Sequence, residues 1–172
     1  MSKKLKMWMR ITMFAALYAA LTLALAPYSF GPIQVRIAEA LTVLPLLGFW
    51  PIWSLTIGCA LSNLIGAAMG VNLLGYWDVI WGTLATLLAA YFTYSCKNIT
   101  FKKIPVVSLL MPILFNGLVV GYELTMVVGP YNFGMFLFYA LSVALGESIS
   151  VFVFGYPLYR YLKKTKLFKK EA

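Results

Sequence analysis

Long apolar segments, separated by short turns rich in proline, glycine or lysine, run through almost the whole chain of 172 residues. A helix that crosses a lipid bilayer needs about 20 apolar residues, so the chain has room for about six such helices. The predicted helices cover residues 7–26, 37–48, 52–69, 77–96, 105–128 and 133–159. This pattern predicts an all-α integral membrane protein in which residues 1–172 form a single transmembrane domain.

Charged residues are too scarce for a soluble domain. The chain has 62% hydrophobic and 11% charged residues, whereas about 25% of residues are charged in a typical soluble domain. The net charge of +9 could indicate a nucleic-acid partner, but the basic residues gather in clusters between or beyond the apolar segments. They therefore indicate membrane topology, and we expect no nucleic acid to bind.

Three basic clusters, at residues 3–10, 97–103 and 160–170, predict the orientation of the helices. Positively charged residues favour the cytoplasmic side of a membrane. Four crossings between the first two clusters and two more before the third place all three on that side. The N-terminus and C-terminus are thus predicted to be cytoplasmic, and the loops near residues 28–34, 71–77 and 129–132 face outward.

Four of the five acidic residues lie inside or at the edge of apolar segments. They are Glu39, Asp78, Glu123 and Glu147. A carboxylate in hydrocarbon costs about 2.5 kcal/mol or more, so by default it marks a functional site that faces a polar cavity. Because the predicted topology brings all four towards the outer half of the bilayer, we expect them to share one pocket.

Amide side chains accompany these carboxylates. Asn116 lies two helical turns before Glu123 and therefore shares its face, beside the small pair Gly117 and Gly121, which favours close approach of another helix. Asn63 lies on a similar close-packed face of the third predicted helix. For both asparagines, a hydrogen bond to a neighbouring helix and a contact with a ligand are alternatives.

The remaining charged and aromatic candidates lie near the predicted outer surface. Trp77 and Trp81 flank Asp78 and are either residues of an interfacial belt or a stacking wall beside the acid. Arg36 and Glu39 are three residues apart and can pair across one helical turn. Such a pair is either purely structural or part of a lid that contacts ligand.

Small residues form a stripe on the first predicted helix. Ala15, Ala16, Ala19 and Ala20 make two overlapping pairs at a spacing of four, which marks a surface that another helix approaches closely. The approaching helix belongs either to this chain or to another protein.

Several kinds of chemistry are excluded. The chain has no histidine, and Cys59 and Cys96 lie in separate segments, so we expect no metal site, no cofactor and no enzymatic activity. It also has no GxxxxGK[ST] phosphate loop. Uphill transport would therefore draw energy from a partner or from an ion gradient.

One long motif resembles a known family. Residues 28–45, YSFGPIQVRIAEALTVLP, resemble the YGPIQxRxxEALxxLP signature of the QueT family. Segments at residues 62–66, 78–87, 116–117 and 146–147 are also similar to that family, so the resemblance covers nearly the whole chain. QueT proteins are the substrate-binding membrane subunits, or S components, of energy-coupling-factor transporters, and are linked to the uptake of queuosine precursors.

The resemblance implies a six-helix S component in the plasma membrane of a bacterium, with a site roofed by the loops after the first, third and fifth helices. It implies docking of Ala15, Ala16, Ala19 and Ala20 on a transmembrane coupling subunit, and two cytosolic ATPase subunits that supply energy. The family mechanism is a toppling of the S component that carries its pocket inward.

A deazaguanine, the ligand class that the resemblance implies, suits an acidic pocket. One carboxylate accepts its N1–H and its exocyclic amino group, and aromatic side chains stack on its ring. The candidate ligand-binding residues are Arg36, Glu39, Asn63, Trp77, Asp78, Trp81, Asn116, Tyr122, Glu123, Tyr139 and Glu147. The surplus of acids favours a cationic aminomethyl ligand over a cyano ligand.

Two other transport functions remain as alternatives. An S component for another vitamin or for a purine would have the same architecture. An ion-coupled secondary transporter would use Glu123 and Glu147 as proton carriers, but the chain shows no repeat of three helices.

Overall fold

A computed structural model of the chain describes residues 2–31 and 34–165. The helices are α1 (Lys3–Ala24), α2 (Ala26–Ser29), a central 3₁₀ helix (Ile37–Leu47), α3 (Pro51–Ala68), α4 (Trp77–Ser95), α5 (Val106–Val128), α6 (Phe133–Ser148), a π segment (Ile149–Gly155) and α7 (Tyr156–Leu162). Outside the described residues lie Pro32 and Ile33 of the first loop and Lys166, Lys169 and Lys170 of the last basic cluster.

Two of the predicted segments have unexpected winding. Residues 37–48, predicted as an ordinary helix, form the 3₁₀ helix, in which Pro45 has no N–H to donate to an α-helical hydrogen bond. Residues 133–159 belong to one helical stretch that continues to Leu162 through the π segment. Non-α winding of this kind is common at functional sites and hinges.

The central 3₁₀ helix lies inside the bundle. It packs against α1, α3, α4, α5, the π segment and α7, and most of its residues are buried. Because a 3₁₀ helix has three residues per turn, Arg36, Glu39 and Thr42 follow one edge. The Thr42 hydroxyl donates to the Glu39 carbonyl at 2.6 Å. This segment thus carries a line of polar side chains into the middle of the protein.

The longer helices surround it in chain order, with α1 against α3, α3 against α4, α4 against α5 and α5 against α6. Small residues allow these contacts. A Cβ added at Gly58 would lie 2.8 Å from the Ala15 carbonyl oxygen, and one at Gly121 would lie 2.6 Å from the Cα of Ala140. The close approach predicted for Gly117 and Gly121 is therefore confirmed, and α6 is the helix that approaches.

Apolar side chains cover the outside of the bundle. Leu137, Leu141 and Leu145 are 44%, 63% and 68% exposed, which suits a surface in contact with lipid. Four helical stretches are long and apolar enough to cross a membrane, namely Lys3–Ala24, Pro51–Ala68, Val106–Val128 and Phe133–Leu162. The 19-residue α4 has sufficient length, but Asp78 and several threonines and tyrosines lower its hydropathy. These are features of a multi-pass membrane protein.

Candidate functional site

Arg36 immediately precedes the central 3₁₀ helix as its N-cap residue and is 5% exposed. Its Nη2 makes an ion pair with Asp78 Oδ2 at 3.4 Å, and its Nη1 donates to the Cys59 thiol at 3.7 Å. The guanidinium carbon also lies 5.3 Å from the centroid of the Phe30 ring. Arg36 thus makes no ion pair with Glu39, which the spacing allowed, among the described residues, because it reaches across the bundle to Asp78 instead.

Asp78, at the start of α4, is fully buried at the centre of this group. Its Oδ2 accepts a second hydrogen bond from Asn72 at 2.9 Å, and its backbone carbonyl accepts one from Asn63 at 2.8 Å. We call these residues the arginine cluster: Arg36, Cys59, Asn63, Asn72 and Asp78. The cluster joins the central helix, α3, α4 and the loop between α3 and α4.

A second group, the glutamate cluster, consists of Tyr18, Glu39, Asn116 and Glu147. The Tyr18 hydroxyl of α1 donates to Glu39 Oε1. Asn116 of α5 donates to Glu147 Oε1 of α6 at 3.1 Å and lies near the Glu39 carboxylate. The cluster thus brings together two buried carboxylates that come from different helices, each with one hydrogen-bond donor.

Two glycines let the first loop reach both clusters. A Cβ added at Gly146, the residue before Glu147, would lie 2.9 Å from the carbonyl carbon of Gln34. A Cβ at Gly66 would lie 2.8 Å from the Phe30 ring. A side chain at either position would push the first loop away from the helices that carry the buried charges.

All four buried carboxylates have at least one oxygen without a hydrogen-bond partner among the described residues, including Asp78 Oδ1 of the arginine cluster. Glu39 Oε2 and Glu147 Oε2 are buried and have no hydrogen-bond partner among the described residues, and neither Glu123 side-chain oxygen has one. Leaving such acceptors buried and unpaired is costly. These oxygens are therefore the natural acceptors for N–H donors of a bound molecule.

Glu123 lies in a cavity of about 680 Å³ between α4 and α5, which we call the aromatic groove. Trp77, Trp81 and Tyr122 supply its aromatic walls, with Phe136 of α6 beside them. The Glu123 side chain is 6% exposed and interacts electrostatically with Asp78 and Arg36. The groove therefore adjoins the arginine cluster and combines stacking surfaces with a carboxylate.

The predicted ligand-binding residues fall into these groups. Arg36, Asn63 and Asp78 belong to the arginine cluster, Glu39, Asn116 and Glu147 to the glutamate cluster, and Trp77, Trp81, Tyr122 and Glu123 to the groove. Tyr139 lies elsewhere, 9% exposed in an apolar cluster with Leu74, Val120, Leu124 and Val143. Its ring packs edge-on against Phe138.

The alanine stripe of α1 is divided between two surfaces. Ala15 and Ala19 are 2% and 8% exposed, and Ala15 faces Gly58 of α3. Ala16 and Ala20 are exposed on the outer side of the helix. One half of the stripe thus serves packing within this chain, and the other half is available to another molecule.

Three residues of the clusters carried little signal in the sequence. Tyr18 looked like one more aromatic residue on an apolar helix, and Asn72 like a turn residue between Gly70 and Gly75. Cys59 is a small residue within an apolar segment. The only local signal was that Cys59 lies four residues before Asn63, one helical turn away on the same face.

The arrangement suits the binding of N–H donors more than metal chemistry. Within residues 2–31 and 34–165, no group of three or more histidine, cysteine, aspartate or glutamate side chains could hold a metal ion. Carboxylate oxygens and aromatic rings are the groups that the site offers.

A family model and a curated relative that match this chain both describe transporters. The sequence pattern of the family described as "QueT transporter" matches residues 8–164. The queuosine precursor transporter QueT of Lactococcus lactis subsp. cremoris (strain MG1363) is 38% identical over 80 residues, which cover 45% of this chain and 43% of that relative. The match thus spans less than half of the relative's length. No solved structure matches significantly.

Proposed function

The chain belongs to the QueT transporter family, and we propose that it binds a queuosine precursor, either a 7-deazaguanine derivative or queuine, outside the membrane for uptake. The observation that carries the proposal is the position of Glu123. Both of its side-chain oxygens lack a partner within the described residues, and it lies among the aromatic walls of the groove.

The chemistry of a deazaguanine is complementary to this groove. Its N1–H and exocyclic amino group point the same way, so both donate to one carboxylate in charge-assisted hydrogen bonds. Stacking of a base on an aromatic side chain is worth about 1–3 kcal/mol, and Trp77, Trp81 and Tyr122 offer such surfaces. Glu123 would bind the edge of the ligand that carries these two N–H donors, and the tryptophan and tyrosine side chains would stack on its ring.

The glutamate cluster would contact the substituent at position 7 of the deazaguanine. Glu39 and Glu147 each keep one oxygen without a hydrogen-bond partner among the described residues, and Arg36 makes its ion pair with Asp78. A primary ammonium group would give these carboxylates a cation, whereas a cyano group would not. We therefore expect 7-aminomethyl-7-deazaguanine to bind more tightly than 7-cyano-7-deazaguanine.

Calorimetric titration of the purified protein in detergent tests this function. The ligands are 7-aminomethyl-7-deazaguanine, 7-cyano-7-deazaguanine, queuine and guanine. Tight binding of one of the first three supports the proposal, and their order tests the role of the glutamate cluster. Tight binding of guanine alone would favour a purine as substrate, and a folded preparation that binds none would contradict the proposal.

We also propose that the chain works as an S component, with a transmembrane coupling subunit and two cytosolic ATPase subunits. Family membership and the exposed Ala16 and Ala20 of α1 support this assembly. Uptake in cells that depends on ATPase partners would support it. Uptake into vesicles by this chain alone, driven by an ion gradient, would instead identify a secondary transporter.

The proposed topology has six crossings with both termini in the cytoplasm. It adds α4 and the central 3₁₀ helix to the four stretches that meet the criteria of length and hydropathy. The 3₁₀ helix, with 11 residues, is about 22 Å long at ~2.0 Å per residue, so it would cross only with the first loop. Single cysteines placed near residues 100 and 131 test this arrangement. The first should be labelled only from the cytoplasmic side of the membrane, and the second only from the outside.

A further inference from the structure

The thiol of Cys59 receives an unusual number of hydrogen bonds for a buried cysteine. The side chain is 0% exposed on α3. Its sulfur accepts from Arg36 Nη1 at 3.7 Å, from Asn63 Nδ2 at 3.4 Å and from the Thr86 hydroxyl at 3.3 Å. A thiol is a weak acceptor, and buried cysteines usually behave as small apolar residues. Here the thiol is surrounded by donors from three segments.

These contacts fix the direction of the Arg36 guanidinium. Its two terminal nitrogens are used separately, with Nη1 on Cys59 and Nη2 on Asp78. The fork of donors in a guanidinium is rigid and planar, so holding both nitrogens fixes the plane of the group. Asn63 reinforces this arrangement, because the same amide nitrogen also donates to the backbone carbonyl of Asp78.

A second anion competes for the same guanidinium. Glu39 lies one turn after Arg36 on the same edge of the 3₁₀ helix, and its carboxylate interacts electrostatically with Arg36. Its Oε2 has no hydrogen-bond partner in the described part of the chain. Without the contact to Cys59, only the ion pair with Asp78 and the contact with the Phe30 ring hold Arg36 against the attraction of Glu39.

We propose that Cys59 is a positioning residue that holds Arg36 on Asp78 and thereby keeps the charge of Glu39 available for a cationic ligand. Cys59 itself touches no ligand in this scheme. Its effect is on selectivity, because it determines which carboxylate the internal cation neutralises. This inference rests on the proposed function for the ligand, but the position of Arg36 can be tested without any ligand.

The first test observes the guanidinium directly by nuclear magnetic resonance. The chain has three arginines, Arg10, Arg36 and Arg160, so arginine-selective labelling gives few signals, and Arg36→Lys identifies those of Arg36. We expect two separate Nη signals for Arg36 in the unmodified protein, because each nitrogen has its own partner. In Cys59→Val, which removes the acceptor but keeps a side chain of similar size, these signals should shift and merge.

The second test compares affinities for the aminomethyl and cyano ligands. Their ratio should fall about tenfold in Cys59→Val and stay near the unmodified value in Cys59→Ser, which keeps an acceptor on the same carbon. Cys96→Ser is the matched control, because Cys96 lies at the far end of α4, and it should leave both affinities unchanged.

The outcomes are distinguishable. Unchanged Arg36 signals in folded Cys59→Val, or an unchanged affinity ratio, would overturn the role of Cys59 while leaving the proposed function intact. If the unmodified protein binds neither ligand, the proposed function fails, and the Arg36 signals alone decide whether Cys59 positions the guanidinium. Thr86→Val gives a second variant if Cys59→Val does not fold, and a smaller shift of the same signals is expected.

Discussion

The arginine cluster and the glutamate cluster both bury charged side chains beside the central 3₁₀ helix, but they differ in whether a cation neutralises the buried carboxylates. In the first, Arg36 and Asp78 neutralise each other and amides from two segments add hydrogen bonds, although Asp78 Oδ1 has no hydrogen-bond partner among the described residues. In the second, Glu39 and Glu147 receive hydrogen bonds from Tyr18 and Asn116, but neither makes an ion pair with a cation within the described residues.

This difference separates a structural role from a binding role. A buried ion pair in which both members are held serves the fold, because removing one member leaves an uncompensated charge. Carboxylates that make no ion pair in a low-dielectric interior are unfavourable on their own and gain most from a ligand that brings N–H donors or a positive charge. The two clusters should therefore respond in opposite ways to the loss of a charge.

The largest effect is expected in the arginine cluster. Arg36→Met keeps the length of the side chain but leaves the Asp78 carboxylate buried without its cation. Breaking a buried ion pair in this way typically costs about 3–5 kcal/mol of stability. Unfolding of the purified variant in detergent, followed by circular dichroism, measures the loss.

The matched control for that variant is the double change Arg36→Met with Asp78→Leu. With both charges removed, no uncompensated carboxylate remains, so much of the stability should return. A single Arg36→Met variant that is as stable as the unmodified protein would show that Asp78 does not depend on Arg36, and the contrast between the clusters would disappear.

The next effect is expected at Glu123 and concerns binding. Glu123→Gln replaces a carboxylate that accepts two N–H donors with an amide that offers one acceptor. Affinity for the deazaguanines should fall by about 100-fold, because hydrogen bonds to a charged group are worth ~1.5–3 kcal/mol. Stability should not fall, because the neutral amide is less costly to bury than an unpaired carboxylate.

Calorimetry and thermal unfolding on the same preparation measure both quantities. Asp78→Asn is the informative comparison, because it should lower stability by leaving Arg36 buried without its counter-charge. If Glu123→Gln binds as tightly as the unmodified protein, Glu123 does not contact the ligand, and the aromatic groove loses its assigned donor-selecting residue.

The helical fold could be predicted from the sequence because a membrane limits the structures that can span it. A spanning segment must satisfy its own backbone hydrogen bonds, so long apolar runs read as helices, and Val106–Val128 lies within one residue of the predicted range 105–128. The 3₁₀ winding of Ile37–Leu47 and the π segment could not be predicted from the sequence. They depend on how these segments pack against each other, as when Gly155 lies against Ala40 of the central helix.

Only part of the candidate site could be predicted from the sequence. Buried carboxylates stand out in any apolar segment because their burial is costly. Their partners do not stand out, because Arg36 and Asp78 are 42 residues apart, and Tyr18 and Glu39 are 21 apart. Local spacing allowed a pair between Arg36 and Glu39, but packing across the bundle pairs Arg36 with Asp78.

A smaller effect is expected from Tyr18→Phe in the glutamate cluster. The change removes one hydrogen bond to Glu39, which should lower stability by about 1.5 kcal/mol, less than the loss in Arg36→Met. It also frees Glu39 Oε1 as a second acceptor, so affinity for the aminomethyl ligand should not decrease. A loss of stability equal to that of Arg36→Met, measured by the same unfolding experiment, would show that the glutamate cluster is as structural as the arginine cluster.

The smallest effect on the isolated chain is expected on the outer side of α1, which lies opposite Tyr18. Ala16→Leu adds a bulky side chain at an exposed position, so unfolding and ligand affinity should both remain unchanged. Copurification with a coupling subunit should nevertheless be lost, because a small residue at this spacing allows close approach of another helix. Ala19→Leu is the matched contrast, since Ala19 is 8% exposed and a larger side chain there should destabilise the chain itself. If Ala16→Leu still assembles and transports, the outer side of α1 is not the docking surface, and its small residues face only lipid.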